Sequence, residues 1–308
     1  MARHRPTVDD RSYARLPTER VSPRGRALDA LSPARLAALL AREERASARA
    51  VERAASAIGT VATRAADALA AGGRLIYVGA GTSGRLGALD AAECPPTFGT
   101  RPGQVCAILA GGPRAMRRAV EGAEDDDVDG RRQIKRLAIT ARDVVVGIAA
   151  SGRTPFVAGA LAAARARGAF TALVTCAPAL ARALGADVVV GLVVGPELLA
   201  GSTRLKAGTA TKIALNAIST AAMARLGKCW GPRMVDVRAT NAKLRARARR
   251  MVIELGRVAP ADADALLARA GGRVKVALVM VRLGVGRAIA ERKLVAAKGR
   301  LRTLLGSP

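Results

Sequence analysis

Apolar residues gather into five short runs, Leu75–Val78, Val105–Leu109, Val144–Ala149, Thr171–Thr175 and Val188–Val194. Several are apolar at consecutive positions, the pattern of strands buried on both faces of a helix-covered parallel sheet. Between the runs, the spacing of apolar and polar residues predicts helices over Arg85–Ala92, Arg114–Gly122, Pro155–Ala166 and Pro178–Leu184. Strand and helix in alternation predict an α/β doubly wound, three-layer sandwich around a five-stranded parallel sheet. After the fifth run, "GSTRLKAGTATKIALNAISTAAMARLG" reads as one long helix with small residues on one face. Beyond Asn241 strand signals stop, and short helical patterns are separated by glycines. The expected organisation is an N-terminal arm and helices (1–50), the α/β domain (51–240) and a small C-terminal helical domain (241–308).

Composition narrows the function classes. The chain has 308 residues, 50% of them hydrophobic, enough for one large core and a small one. No charge-free apolar run reaches the ~18 residues of a membrane span. The first twenty residues are charged throughout, so a cytoplasmic protein is expected. Four cysteines lie far apart with no C-x-x-C, which argues against a disulfide framework or a zinc knuckle. The net charge of +27 points towards nucleic acid. The excess is mostly arginine spread along an alanine-rich chain, however, and aromatics are only 2%, leaving few platforms for stacking bases. No specific nucleic-acid partner is expected.

The first strand runs into glycines. "GRLIYVGAGTSGRLG" (73–87) places Gly79, Gly81 and Gly84 at the G-x-G-x-x-G spacing, where the backbone can approach an anion at a helix N-terminus. A dinucleotide site also needs an acid about 20 residues on, after the second strand. That strand leads into "LAGGPRAM" instead, so NAD is not expected. The third strand ends in "GIAASGRTP", a second turn with hydroxyls, glycine and arginine. Gly81, Thr82 and Ser83 in the first turn and Ser151, Gly152, Arg153 and Thr154 in the second can converge on one small phosphate. The plainer alternative makes both turns helix N-caps and nothing more. Other motifs fail. "DDDVDG" has Asp125, Asp127, Asp129 and Gly130 at calcium-loop spacing, but the twelfth position is Arg136. Ser83 lacks the second glycine of G-x-S-x-G, and the one histidine, His4, lies in the N-terminal arm. Neither a metal nor another cofactor is expected.

Carboxylates remain for acid–base work. Glu93 precedes Cys94-Pro95-Pro96, where the prolines are expected to turn the chain out of helix. Its small, apolar context suits a carboxyl shielded from water that donates a proton near neutrality. Glu121 and Glu124 stand three apart, on neighbouring positions of the expected helix; a solvated helix face is the ordinary reading of such a pair.

Five stretches, "LIYVGAGTSGRLGALDAAECPPTFG", "AGGPRAMRRAVEGAEDD", "DVVVGIAASGRTPFV", "VGPELLAGSTRLKAGTATKIALN" and "MVDVRATNAKLRARARR", cover most of residues 73–250 in order. They resemble the N-acetylmuramic acid 6-phosphate etherases, within the sugar-isomerase (SIS) fold. Near the N-terminus the family's T-E-x-R-N pattern is partly kept, as Thr18-Glu19-Arg20 followed by Val21-Ser22. The resemblance implies a carbon–oxygen lyase that converts N-acetylmuramate 6-phosphate and water to N-acetylglucosamine 6-phosphate and D-lactate without a cofactor. It implies Glu93 as proton donor and Glu124 as second essential glutamate, with Ser202 and Lys206 added to the substrate-binding residues. Ten residues of continuous helix separate Ser83 from Glu93 by about 15 Å. A homodimer with sites near the subunit interface is therefore expected. A non-catalytic phosphosugar-binding regulator of the same fold, resembling glucokinase regulatory protein, is the alternative within the fold; a basic nucleic-acid-binding protein is the alternative from another class.

Overall fold

The computed structural model describes residues 16–181, 184–237 and 242–308. Five strands, β1 (Leu75–Gly79), β2 (Val105–Leu109), β3 (Val144–Ile148), β4 (Phe170–Thr175) and β5 (Val188–Gly191), form one sheet in the order β2-β1-β3-β4-β5. All four pairings are parallel, with Leu75 level with Val105 and Val144. The doubly wound α/β expectation holds.

Alternate residues of each strand feed two cores. Leu75 and Tyr77, with Val144, Val146 and Val174, pack under α3 (Ala55–Ala70), α4 (Gly81–Phe98) and α8 (Lys206–Arg225). Ile76 and Val78, with Val145 and Leu173, pack under α5 (Asp127–Arg136), α6 (Pro155–Arg165) and α7 (Pro178–Ala181). Burial on both faces is why these strands read as unbroken apolar runs. At the N-terminal side, α1 (Pro33–Glu43) is capped by the Ser32 hydroxyl, which accepts from Arg35 N–H, and α2 (Arg45–Arg53) follows it. Residues from Trp230 to Leu301 make a third core among α9 (Ala242–Gly256), α10 (Pro260–Arg269), α11 (Val274–Leu283) and α12 (Arg287–Ala296), closed by α13 (Leu301–Leu305). Among the described residues no helix is long and apolar enough to cross a membrane.

Two helix expectations fail. The helix read as Arg85–Ala92 runs on from Gly81 to Phe98 with Pro95 and Pro96 inside it. Both prolines fall in its last turn, where few helical bonds remain to be lost; the Pro95 carbonyl still accepts from Gly99 N–H, and Gly99 ends the helix with a left-handed φ of 65°. The stretch read as a helix over Arg114–Gly122 is a 3₁₀ turn (Gly112–Met116), irregular chain, and a second 3₁₀ turn (Ala123–Asp125). Gly122, at φ 72°, sits where a helix cannot continue.

Candidate functional site

With β2 on one side of β1 and β3 on the other, the winding direction reverses between β1 and β3. In open parallel sheets ligands bind beyond the carboxyl ends of the strands at such a switch point. The two glycine- and hydroxyl-bearing turns follow these two strands. After β1, α4 starts at once. An ideal Cβ on Gly79 would lie 2.7 Å from the Gly84 nitrogen, so the first helical turn can sit tightly on the strand end only with glycine there. No side chain caps this helix, and the hydroxyls of Thr82 and Ser83, both half-buried, make no hydrogen bond among the described residues. After β3, Arg153 N–H donates to Ser151 Oγ at 3.3 Å and Gly152 is buried. Thr154 stands at the N-cap of α6 without a side-chain capping bond. Helix capping therefore does not account for Thr82, Ser83 or Thr154. Together with the open N-terminus of α4 they can receive a phosphate. Arg85 Nε donates to the Ala115 carbonyl at 2.8 Å, fastening the loop after β2 to the start of α4.

That loop carries Glu124. Its 3₁₀ turn packs on α6, the helix that the second turn opens. Partial withdrawal of the carboxyl from water, then the charges of Asp125 and Glu121, raise its pKa above the ordinary glutamate value. Glu121 lies beyond the Gly122 break, not on a shared helix face. The Asp126 carboxylate accepts from Asp129 N–H at 2.8 Å, so this acidic run opens α5. Among the described residues no three His, Cys, Asp or Glu converge as a metal site.

Glu93 is not shielded as expected. It is exposed on α4, in a stripe with Leu89, Ala92 and Pro96, all exposed as well. Its neighbour Cys94 faces the core, where burial pushes the thiol up to about 12. Continuous helix keeps Glu93 about 15 Å from Ser83 of its own chain.

Ser202 and Lys206 have different surroundings. Ser202, half-buried, belongs to the loop between β5 and α8, and α8 begins beside the first turn: a Cβ on Gly208 would stand 3.7 Å from Thr82 Cγ2. Lys206 is 5% exposed and its ammonium pairs within the chain with Glu43 at 3.2 Å. Two residues that sequence reasoning passed over organise this loop. Glu197, fully buried, accepts from Lys206 N–H at 3.1 Å and Ala207 N–H at 2.9 Å and so caps α8. Glu43 joins Lys206 to Arg24, and two hydrogen-bonded cations hold its pKa below the ordinary value in spite of burial. Neither had a visible signal: Glu197 lies 9 residues before the helix it caps and looks like any loop acid, and Glu43 at the end of α1 looks like an ordinary helix-surface carboxylate. The N-terminal arm also reaches this loop: the Thr18 carbonyl accepts from Gly201 N–H at 2.9 Å.

Residues 53–165 match the family model of the glucokinase regulatory protein N-terminal SIS domain. An N-acetylmuramic acid 6-phosphate etherase of Rubrobacter xylanophilus is 50% identical over 297 residues, covering 96% of this chain and 98% of the relative. One of Trichormus variabilis is 50% identical over 290 residues, 94% of each. Among solved structures, phosphoheptose isomerase GmhA from Neisseria gonorrhoeae superposes with a TM-score of 0.44 at 21% identity, covering 61% of this chain and 96% of the isomerase. At half of all positions shared along nearly the whole chain, this protein belongs to the N-acetylmuramic acid 6-phosphate etherase family.

Proposed function

We propose that the chain is a carbon–oxygen lyase that cleaves the D-lactyl ether of N-acetylmuramate 6-phosphate. It eliminates lactate and adds water, giving N-acetylglucosamine 6-phosphate and D-lactate. The observation that carries this is 50% identity over 96% of the chain to a protein of that activity. The placing of two hydroxyl-bearing turns at the switch point supports the 6-phosphate as the group held there.

In this reading Gly81, Thr82 and Ser83 with Ser151, Gly152, Arg153 and Thr154 hold the phosphate. The opened sugar presents an aldehyde at C1, which acidifies the proton on C2. Glu124 removes that proton. The electron pair is first delocalised onto the C1 oxygen as an enolate, reversibly; it then forms the C2–C3 double bond as the C3–O bond breaks, and Glu93 protonates the departing lactate oxygen. Water then adds at C3 and C2 regains a proton. No metal or nicotinamide takes part. Ser202 borders the sugar, and Lys206, paired with Glu43, acts through the loop it fixes.

Glu93 reaches the ether of a second protomer in this reading. Support comes from the exposed stripe Leu89, Ala92, Glu93, Pro96: positions i, i+3, i+4 and i+7 form one helix face, and Leu89 is 50% exposed on it. Two such faces meeting at a two-fold axis make a homodimer in which each site borrows from its neighbour.

The test is incubation with N-acetylmuramate 6-phosphate while D-lactate is followed. Stoichiometric lactate and N-acetylglucosamine 6-phosphate are expected. Folded protein that binds the sugar phosphate and releases no lactate is a phosphosugar-binding regulator instead.

A further inference from the structure

We propose that Asp90 is a positioning residue for this reaction: its buried carboxylate fixes the rotation of α4 and thereby the placement of Glu93 at the ether oxygen. The proposal rests on the reading of Glu93 as proton donor.

Asp90 is 4% exposed. Its Oδ2 accepts from the Tyr77 hydroxyl of β1 at 2.8 Å. Its Oδ1 accepts from Asn216 Nδ2 at 2.6 Å and Ser219 Oγ at 3.0 Å, both on α8. Three donors from two separate elements therefore converge on one side chain of a third. The approach is built for it. A Cβ on Gly87 would lie 2.8 Å from the Tyr77 Cβ, so glycine lets the tyrosine pass beneath the helix and reach the next turn.

Over its first three turns the buried face of α4 consists mostly of small residues, Gly84, Gly87, Asp90 and Ala91, with Leu86 partly buried beside them and Cys94 and Phe98 following. Small side chains make a smooth surface with few ridges to lock into a neighbour. In the middle of the helix the hydrogen-bonded carboxylate is the directional contact. Glu93 follows one turn later and about 60° around the helix, next to the edge on which Asp90 is held. A small turn of the helix about its axis carries the Glu93 carboxyl by about 1 Å, a misplacement that costs roughly 10²-fold in rate. The first turn of α4 is pinned at its own end by the Gly79–Gly84 approach and the turn after β3 by its strand, so loss of the Asp90 contact shifts the later turns, where Glu93 lies, more than the phosphate-binding ones.

The experiment compares Asp90→Asn with the parent in three measurements: D-lactate release, KM, and exchange of the C2 proton with deuterated solvent. The expected result is a roughly 10- to 100-fold loss of lactate release with KM within about twofold and C2 exchange retained, since only the proton donor is displaced. Unchanged release overturns the proposal. So does a loss of binding, exchange and release in equal proportion, which marks a general packing role. If Asp90→Asn does not fold, the double variant Asn216→Ala, Ser219→Ala removes the α8 donors and is held to the same split. Glu93→Gln is measured beside them. Parent-rate release from that variant removes the donor role of Glu93, and this proposal with it, whatever Asp90→Asn does. Abolished release from Glu93→Gln with unchanged release from Asp90→Asn sinks only the positioning role.

Discussion

Glu124 is the carboxylate whose surroundings best suit a general base. Partial desolvation and two acidic neighbours raise its pKa, and a base must be ionised to work, so in the proposed reaction the acid limb of kcat/KM is expected to be shifted upward from where an ordinary glutamate would place it. Asp125→Asn removes one of the two repelling charges and is expected to move that limb to lower pH with little change at neutrality. A limb that stays in place shows that the group titrating there is not Glu124. In the proposed phosphate site, Ser83→Ala and Ser151→Ala each delete one hydroxyl that would donate to the anion, a loss expected to be worth roughly 1.5–3 kcal/mol, or about ten- to a hundredfold in affinity. Neither residue is in the buried core, so thermal unfolding is expected to change little while KM rises; unchanged KM in both places the phosphate elsewhere. The position of these turns was legible because each follows an apolar strand and opens a helix. The exposure of Glu93 was not legible, because a helix residue's burial depends on what stands on its far side.

Arg74 and Asp143 tie the starts of β1 and β3 together. Asp143 is 3% exposed and accepts from Arg74 N–H and Nε, from Arg74 Nη2 at 2.8 Å, and from Thr140 N–H. Burial alone would raise its pKa, but these hydrogen bonds and the guanidinium charge bring it below the ordinary aspartate value. Its contribution to stability is therefore complete above the unfolded value of about 3.9 and is lost as pH falls through the lower folded value. Asp143→Asn is expected to cost about 2–4 kcal/mol in urea unfolding near neutral pH and to flatten the acid side of the stability profile. An equally steep acid side in the variant assigns it to other carboxylates. At this scale the first four strands were readable to within a residue or two, since burial on both faces leaves them almost wholly apolar, whereas the fifth run was read three residues too long because Leu192–Val194 stays apolar after β5 ends at Gly191. The helices misled where local composition and backbone geometry part company. "RAMRRAVEG" has helical composition, yet it is hemmed in by Gly111 and Gly112 before it and Gly122 at its end, all at positive φ, and forms only a 3₁₀ turn and irregular chain. Pro95-Pro96 looked like a stop, yet in a last turn the prolines forfeit little.

The whole molecule raises the question of where its excess positive charge and its uncovered apolar side chains lead. The charge of +27 is spread over many exposed arginines, and the proposed site needs positive potential only to draw in an anionic sugar. The exposed face of α4 is more specific. Leu89 is 50% exposed one turn before Glu93, and in the proposed dimer that face is covered by a second copy. Across a two-fold interface one substitution acts twice, so Leu89→Arg sets two new charges near the axis between already cationic chains. Within one chain the change is a surface substitution, expected to leave folding within about 0.5 kcal/mol of the parent. Light scattering coupled to size exclusion is expected to find a monomer at micromolar protein. D-lactate release is expected to fall with the dimer fraction and to recover as protein concentration rises, because each site then regains its neighbour's Glu93. A variant that stays dimeric and active places the interface on another face. A monomer with full activity shows that one chain brings Glu93 and the phosphate turns to the same substrate, and that the 15 Å along α4 is spanned by the sugar itself.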